Sequence, residues 1–303
     1  MTTFVEGPVR LSVPATSANL GPGFDSLGIA LDLRDRLEAE IVGEGLVIEV
    51  EGEGADEVPL DESHLVARSM RAAFAAMGAE PPGVRLACTN AIPHARGLGS
   101  SSAAIVGGVS LARALVAGGS LLMDDTAVFE LAARLEGHPD NVAPAFHGGF
   151  VISGRDDDGR FYAVRSGVDP RISAVVLVPP SPVSTELARG LLPAEVPHTE
   201  AAANSGRAAL LVAALAGQPD QLWRGTLDYL HQRQRRTAMP ESFDLVEALR
   251  ADGVPAVISG AGPTVLAFAN GPSASGTADL LARCPDGWTA LHLALDPHGV
   301  RFH

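Results

Sequence analysis

The 303-residue chain contains no lysine: all 22 of its basic residues are arginine. That absence removes several chemistries at once. A Schiff base, a pyridoxal-phosphate attachment, the lysine of a Walker A loop and the strand lysine of a protein kinase all need an ε-ammonium group. A chain of this kind that binds nucleotide phosphates must use backbone amides, hydroxyls, arginines and a metal. Cysteine is nearly absent too. Cys88 and Cys284 lie far apart and in no C-x-x-C arrangement, so neither a disulfide framework nor a thiolate zinc site is expected. The nine histidines include no H-x-x-x-H pair, which argues against a zinc hydrolase of that type.

Positive charge is scarce, with 36 acidic residues against 22 basic ones and a net charge of −14. Nonspecific binding of nucleic acid or of an anionic membrane needs a basic surface, so neither partner is expected. No apolar run approaches the roughly 20 residues that cross a bilayer, and the opening MTTFVEGPVR has no apolar h-region. The expectation is a cytoplasmic protein.

What is present fits a globular chain long enough for two domains. Apolar or alternating runs predict strands over 9–13 and 27–42, the second with a hairpin partner over 46–50. A helix over 63–77 and a strand over 84–90 follow, then helices over 100–116 and 125–136 and strands over 149–153 and 161–164. In the 125–136 helix, apolar residues at 128, 131, 132 and 135 predict the packed stripe, with Gly137 closing it at C′. The polar turn SGVDPR marks a boundary near residue 169, dividing the chain into 1–169 and 170–303. Beyond it come a strand over 172–178, helices over 185–192, 199–216 and 241–251, and strands over 256–258, 264–269 and 288–295, with a helix between the last two. Strands and helices mix without strict β-α alternation, so the fold class is α+β.

Four segments carry the chemistry. In AIPHARGLGSSSAAI, residues 91–105, a strand leads through a proline-containing loop into a helix. Gly97 and Gly99 let the backbone approach a ligand closely. Free amides, first-turn serines and the helix dipole favour a phosphate there, and Arg96 could add charge. A plain capped helix would read the same way. A dinucleotide fold fits less well, since the third glycine and the later acidic residue are missing. SANLGPGFDSLG, residues 17–28, is a glycine-rich loop with Asn19 and Asp25, and ISGAGPTV, residues 258–265, is a tight glycine turn. In EGHPDNVAP, residues 136–144, Glu136 sits at a helix C-terminus, where the macrodipole disfavours a carboxylate and a compensating cation is suggested.

Together PATSANLGPGFDSLG, PHARGLGSSSAA, EGHPDNVAP and SGAGPTV, in this order and spacing, resemble the GHMP kinases over nearly the whole chain. The resemblance implies an ATP-dependent kinase of small molecules, and the detailed wording implies L-homoserine as the alcohol phosphorylated, a step of threonine biosynthesis. Mevalonate, a sugar or an isoprenoid precursor is the alternative. It implies a two-domain fold, the first domain with a left-handed β-α-β unit and the second ferredoxin-like, with the active site between them and a possible homodimer. Pro93, His94, Ala95, Arg96, Gly97, Leu98, Gly99, Ser100, Ser101, Ser102 and Ala103 would form the ATP loop. Ser101, or Ser100, would hold Mg²⁺ with Glu136.

By the same resemblance Asn141 would orient the hydroxyl, with Asp140 the alternative as a base. Asn19 and Asp25 would face the substrate's amine and hydroxyl, and Gly260 would line the pocket. Thr185, Arg189 and Arg235 would face its carboxylate. The usual HQPYR reads HQRQR here, over 231–235, which leaves Arg233 and Arg236 as candidates beside Arg235.

Overall fold

A computed structural model describes residues 2–270 and 274–303. The chain begins with two long antiparallel strands, β1 (Val9–Asn19) and β2 (Gly23–Ile41). Then come β3 (Gly45–Gly52), α1 (Leu65–Ala76), β4 (Gly83–Asn90) and α2 (Ser100–Leu115). The short α3 (Gly119–Leu122) leads to α4 (Asp125–Glu136), α5 (Val142–His147), β5 (Phe150–Arg155) and β6 (Phe161–Ser166). The first sheet runs β11-β1-β2-β4-β3, with β5 also paired to β2 and β6 to β5. Its strand β11 (Arg301–Phe302) arrives from the far end of the chain.

The second sheet has the order β10-β7-β9-β8. It is built from β7 (Ile172–Val178), β8 (Ala256–Ile258), β9 (Val265–Asn270) and β10 (Thr289–Ala294). Around it lie α6 (Thr185–Gly190), α7 (His198–Gly217), α8 (Leu222–Gly225), α9 (Pro240–Ala251) and α10 (Ala274–Leu281). The apolar run AVVLV of β7 is buried on both faces: Ala174 and Val176 enter the larger core, Val175 and Leu177 the smaller one. That double burial is why the run does not alternate. No described helix is long and apolar enough to cross a membrane.

The helix that will matter most, α2, packs tightly because of two glycines. Side chains on Gly107 and Gly108 would run into Leu37 of the sheet and into the Val66 carbonyl of α1. Ile105, Val106, Val109 and Leu111 are fully or nearly fully buried. The returning C-terminal segment is fixed by Asp296, which is fully buried. It accepts from Arg34 at 2.5 Å, from Arg301 at 2.7 Å, and from the backbone N–H of His298 and Gly299.

The structure corrects four sequence expectations. The segment over 46–50 is not a hairpin partner of β2. β2 pairs with β4, and β3 lies beyond β4 in parallel, so β3, α1 and β4 form a β-α-β unit. The cause is apolar burial: β4 buries Leu86 and Cys88 and takes the inner place, whereas β3 buries only Ile48 and takes the edge. On α4 the buried face is Val128, Phe129, Ala132 and Ala133, while Leu135 is exposed. The first strand runs six residues beyond the expected Val13, to Asn19, because PATSAN continues the pairing with β2 across a bulge. The helix α5 and the strand β11 were not expected at all; both are too short for their periodicity to register.

The strand order makes a prediction about stability. Leu86→Ala, deep in β4, should lower the unfolding free energy by about 2–5 kcal/mol, whereas Val47→Ala on the solvent side of β3 should change it by less than about 0.5 kcal/mol. Urea midpoints measure both, and equal losses would contradict the inner position of β4.

Candidate active site

A cleft of about 480 Å³ opens where the first sheet's loops meet the turn after β8, and residues from both halves of the chain line it. One wall is the segment between β4 and α2. Gly97 and Gly99 have φ of 78° and 72°, and Ala95 joins them at 52°. A Cβ at Gly99 would overlap Thr16 Oγ1, and one at Gly97 would overlap the Ser259 carbonyl. Glycine is required at both positions by conformation and by space.

The carbonyls from Ala95 to Gly99 all accept hydrogen bonds. Val183 N–H donates to Ala95 O, Thr264 N–H to Arg96 O, and Thr16 N–H to Leu98 O. Ser259 Oγ donates to Gly97 O at 2.6 Å, and Ala103 N–H to Gly99 O. Among the described residues, no N–H from His94 to Ser102 has a partner. The N-cap is Gly99, with no side-chain cap, so the serines are free for other work. Ser101 and Ser102 both donate to Glu136 Oε1, at 2.7 and 2.9 Å. The carboxylate at the unfavourable end of α4 is thus met by two hydroxyls.

Arg96 lines the cleft but is tied to backbone. Its guanidinium donates to the carbonyls of Pro179, His94 and Pro180. Three of its five N–H groups are thereby engaged, and they brace the loop against the segment after β7.

The turn before α5 contributes a second wall. Asn141 Oδ1 accepts from Thr16 Oγ1 at 2.8 Å, and Thr16 is fully buried. Asp140, 2% exposed, accepts from His138 Nδ1 at 2.8 Å and from Asn141 N–H. Burial works against a charged His138 ring. The hydrogen bond and charge of Asp140, with Glu136 behind it, outweigh burial and hold the His138 pKa above its ordinary value.

The third wall is an array of charges. Arg189 reaches Asp25 with two N–H groups, at 2.6 and 3.1 Å. Asp25 has φ 53° and is held in that left-handed turn by its N–H to Asn19 Oδ1. Asn19 also donates through Nδ2 to Gly260 O, so both ends of its amide organise backbone. Arg235 is 2% exposed and donates to the carbonyls of Ala188 and Gly260. Burial, and then the charge of Arg189, pulls its pKa below the usual guanidinium value. Arg233 and Arg236 are exposed, and Arg236 pairs with Asp244 instead. Of the three candidates Arg233, Arg235 and Arg236, Arg235 alone lines the cleft among the described residues. Thr185 lines it from the first turn of α6, one residue after the capping Ser184.

Sequence reasoning passed over several residues that the fold brings here. Thr16, Phe24, His138 and His231 all lie inside or beside the quoted motifs, and only their three-dimensional partners reveal a use. At the far end of the cleft sit Asp35, His64 and Cys88. His64 is 5% exposed and its Nδ1 has no partner. Asp35 Oδ1 accepts from Ala91 N–H at 2.7 Å and Ile92 N–H at 2.9 Å, anchoring the root of the glycine loop.

Comparison with known proteins gives this arrangement a family. Residues 64–149 match the model of the GHMP kinases N terminal domain, and residues 207–279 that of the GHMP kinases C terminal. A homoserine kinase of Streptomyces avermitilis is 54% identical over 297 residues, covering 98% of this chain and 96% of the relative. One of Clavibacter michiganensis subsp. michiganensis is 48% identical, covering 96% and 92%. Among solved structures, a homoserine kinase from Cytophaga hutchinsonii superposes with a TM-score of 0.82 at 26% identity, covering 99% of this chain and 98% of the other. A mevalonate kinase of L. major, at 16% identity and a TM-score of 0.69 over 98% of this chain and 99% of the other, shares the fold.

Asp35 supplies a pH test. Burial lifts its pKa to about 6, against the lowering effect of the two amide bonds. A carboxyl whose folded pKa is raised loses stability as pH climbs from its unfolded value near 4 through 6. Asp35→Asn lacks that loss, so its stability relative to the parent protein should improve by up to about 3 kcal/mol between pH 4 and pH 7. Urea midpoints across that range check the slope; a pH-independent difference would contradict it.

Proposed function

The chain belongs to the GHMP kinases, and on that premise we propose that it transfers the γ-phosphoryl group of ATP to the side-chain hydroxyl of L-homoserine. The observation that carries the reading is the sharing of one cleft by an amide-presenting glycine loop and a pocket with both an acid and two arginines. Residues 1–169 make the ATP-binding part, and residues 170–303 bring the substrate arginines.

The segment Pro93–Ala103 takes the ATP phosphates on its free amides and on the N-terminus of α2, which need no lysine. The donor set of Ser101 Oγ and Glu136 suits Mg²⁺, a hard cation usually held by one or two carboxylate or hydroxyl oxygens together with substrate phosphates. When bound, the ion neutralises phosphate charge. Phosphoryl transfer passes through a loose transition state that rewards positioning more than base catalysis. With Asn141 Oδ1 occupied by Thr16, its Nδ2 N–H groups remain to orient the attacking hydroxyl. Asp140, engaged by His138, supports that turn and is a poorer candidate for a base.

Charge pairing supports the amino-acid substrate. Asp25 and Arg189 neutralise each other. A zwitterion can replace that bond without stranding either charge: its ammonium takes Asp25, and its carboxylate takes Arg189 and Arg235. Mevalonate would leave Asp25 without a cation, and a sugar would leave the arginines without an anion.

Two outcomes follow. Assayed with ATP and Mg²⁺ on L-homoserine, mevalonate and galactose, the protein should show by far its highest kcat/KM on L-homoserine; a better alternative substrate would sink the reading. Arg189→Ala should raise the KM for L-homoserine by roughly tenfold or more, as expected for loss of a charge-assisted bond of about 1.5–3 kcal/mol, and leave the KM for ATP nearly unchanged. An equal rise in both would remove Arg189 from the carboxylate side.

A further inference from the structure

Two guanidiniums in one pocket repel each other, and something must hold both toward the same space. Phe24 occupies that place. The Arg189 guanidinium carbon lies 5.6 Å from the centroid of its ring, and that of Arg235 lies 5.4 Å away. A third contact comes from His231, whose ring centroid is 5.3 Å off at an interplanar angle of 36°. The ring is half-buried and directly precedes Asp25, the partner of Arg189.

The His231 contact fixes the back of the assembly. His231 is fully buried; its Nε2–H donates to Gly21 O at 2.8 Å, and its Nδ1 accepts from Arg235 at 3.2 Å. Asp228 holds the turn beneath by accepting from the N–H groups of Leu230, His231 and Gln232. Arg235 is therefore gripped on its carbonyl side, leaving the aromatic side to set its tilt. Arg189, half-exposed, is directed by its ion pair with Asp25 and its contact with Phe24.

We infer that Phe24 is a positioning residue for substrate recognition, its aromatic face holding Arg189 and Arg235 as a two-pronged receptor for one carboxylate. The electron-rich face attracts both cations and so offsets their mutual repulsion when no substrate is present. On binding, the carboxylate replaces Asp25 as the anion, while the ring keeps the two forks in register. A merely apolar side chain of similar size would fill the space but would not attract the guanidiniums.

The inference rests on the reading of those arginines as the carboxylate side of the L-homoserine pocket. The experiment compares ring-bearing and ringless replacements: Phe24→Tyr and Phe24→Trp against Phe24→Leu and Phe24→Met, with melting temperature, kcat and both KM values measured for each. The ringless pair should raise the KM for L-homoserine by roughly five- to thirtyfold, with kcat and the KM for ATP within about twofold. The ring-bearing pair should stay near the parent values. Equal KM values for L-homoserine in all four variants, or parallel rises in both KM values without rescue by a ring, would overturn it. Failure of the parent protein to phosphorylate L-homoserine would instead defeat the substrate reading itself.

Discussion

The five consecutive carbonyls from Ala95 to Gly99 are bound by other groups of the protein, and the cleft depends on that fact. Thr16 comes from β1, Val183 from the segment before α6, and Ser259 and Thr264 from the turn between β8 and β9. With every acceptor committed, the loop can present only donors to a ligand. Two left-handed glycines make the required turn, and the space around Gly99 leaves no room for a side chain. Anchoring one side of the peptide chain leaves the other free, which is how a loop without lysine can offer donors to an anion. The same anchors join the two sheets, so the loop's geometry and the closeness of the two halves are one property.

Charge is handled by a similar exchange. A deep pocket with unpaired charges would pay a desolvation penalty with nothing in return. Here Asp25 and Arg189 cover each other, Glu136 is covered by two serine hydroxyls, and Asp140 by His138. In the proposed function a zwitterion takes over the first of these pairings and a metal the second, while the third stays in place to support the turn before α5. The planar forks of Arg189 and Arg235 suit a carboxylate better than a point charge would.

Much of the fold and the family was legible in the sequence because glycine, serine and the helix stop at Gly137 leave local marks. The bounds of α4 and β7 agree with the periodicity, and the motif spacing alone carried the resemblance to the GHMP kinases. What escaped was non-local. The place of β3 depends on β4 outcompeting it for the inner position, which neither strand announces. Two of the Arg96 donors go to carbonyls more than 80 residues away, a bracing role that the motif does not announce. Which of Arg233, Arg235 and Arg236 lines the cleft depends on the fold, where Arg235 meets the Ala188 and Gly260 carbonyls, and spacing alone does not give that. Phe24 and His231 sat within sight of the motifs, but an aromatic residue shows its use only when its neighbours are known.

The central claim is that backbone amides of the loop, rather than any cationic side chain, receive the triphosphate. Amide proton and nitrogen chemical shifts test it most directly, recorded on the ¹⁵N-labelled protein with a non-hydrolysable ATP analogue and, separately, with adenosine. The account predicts that Gly97, Gly99, Ser100 and Ser101 shift strongly with the analogue and hardly at all with adenosine. Loop amides that stay in place with the analogue bound would contradict it.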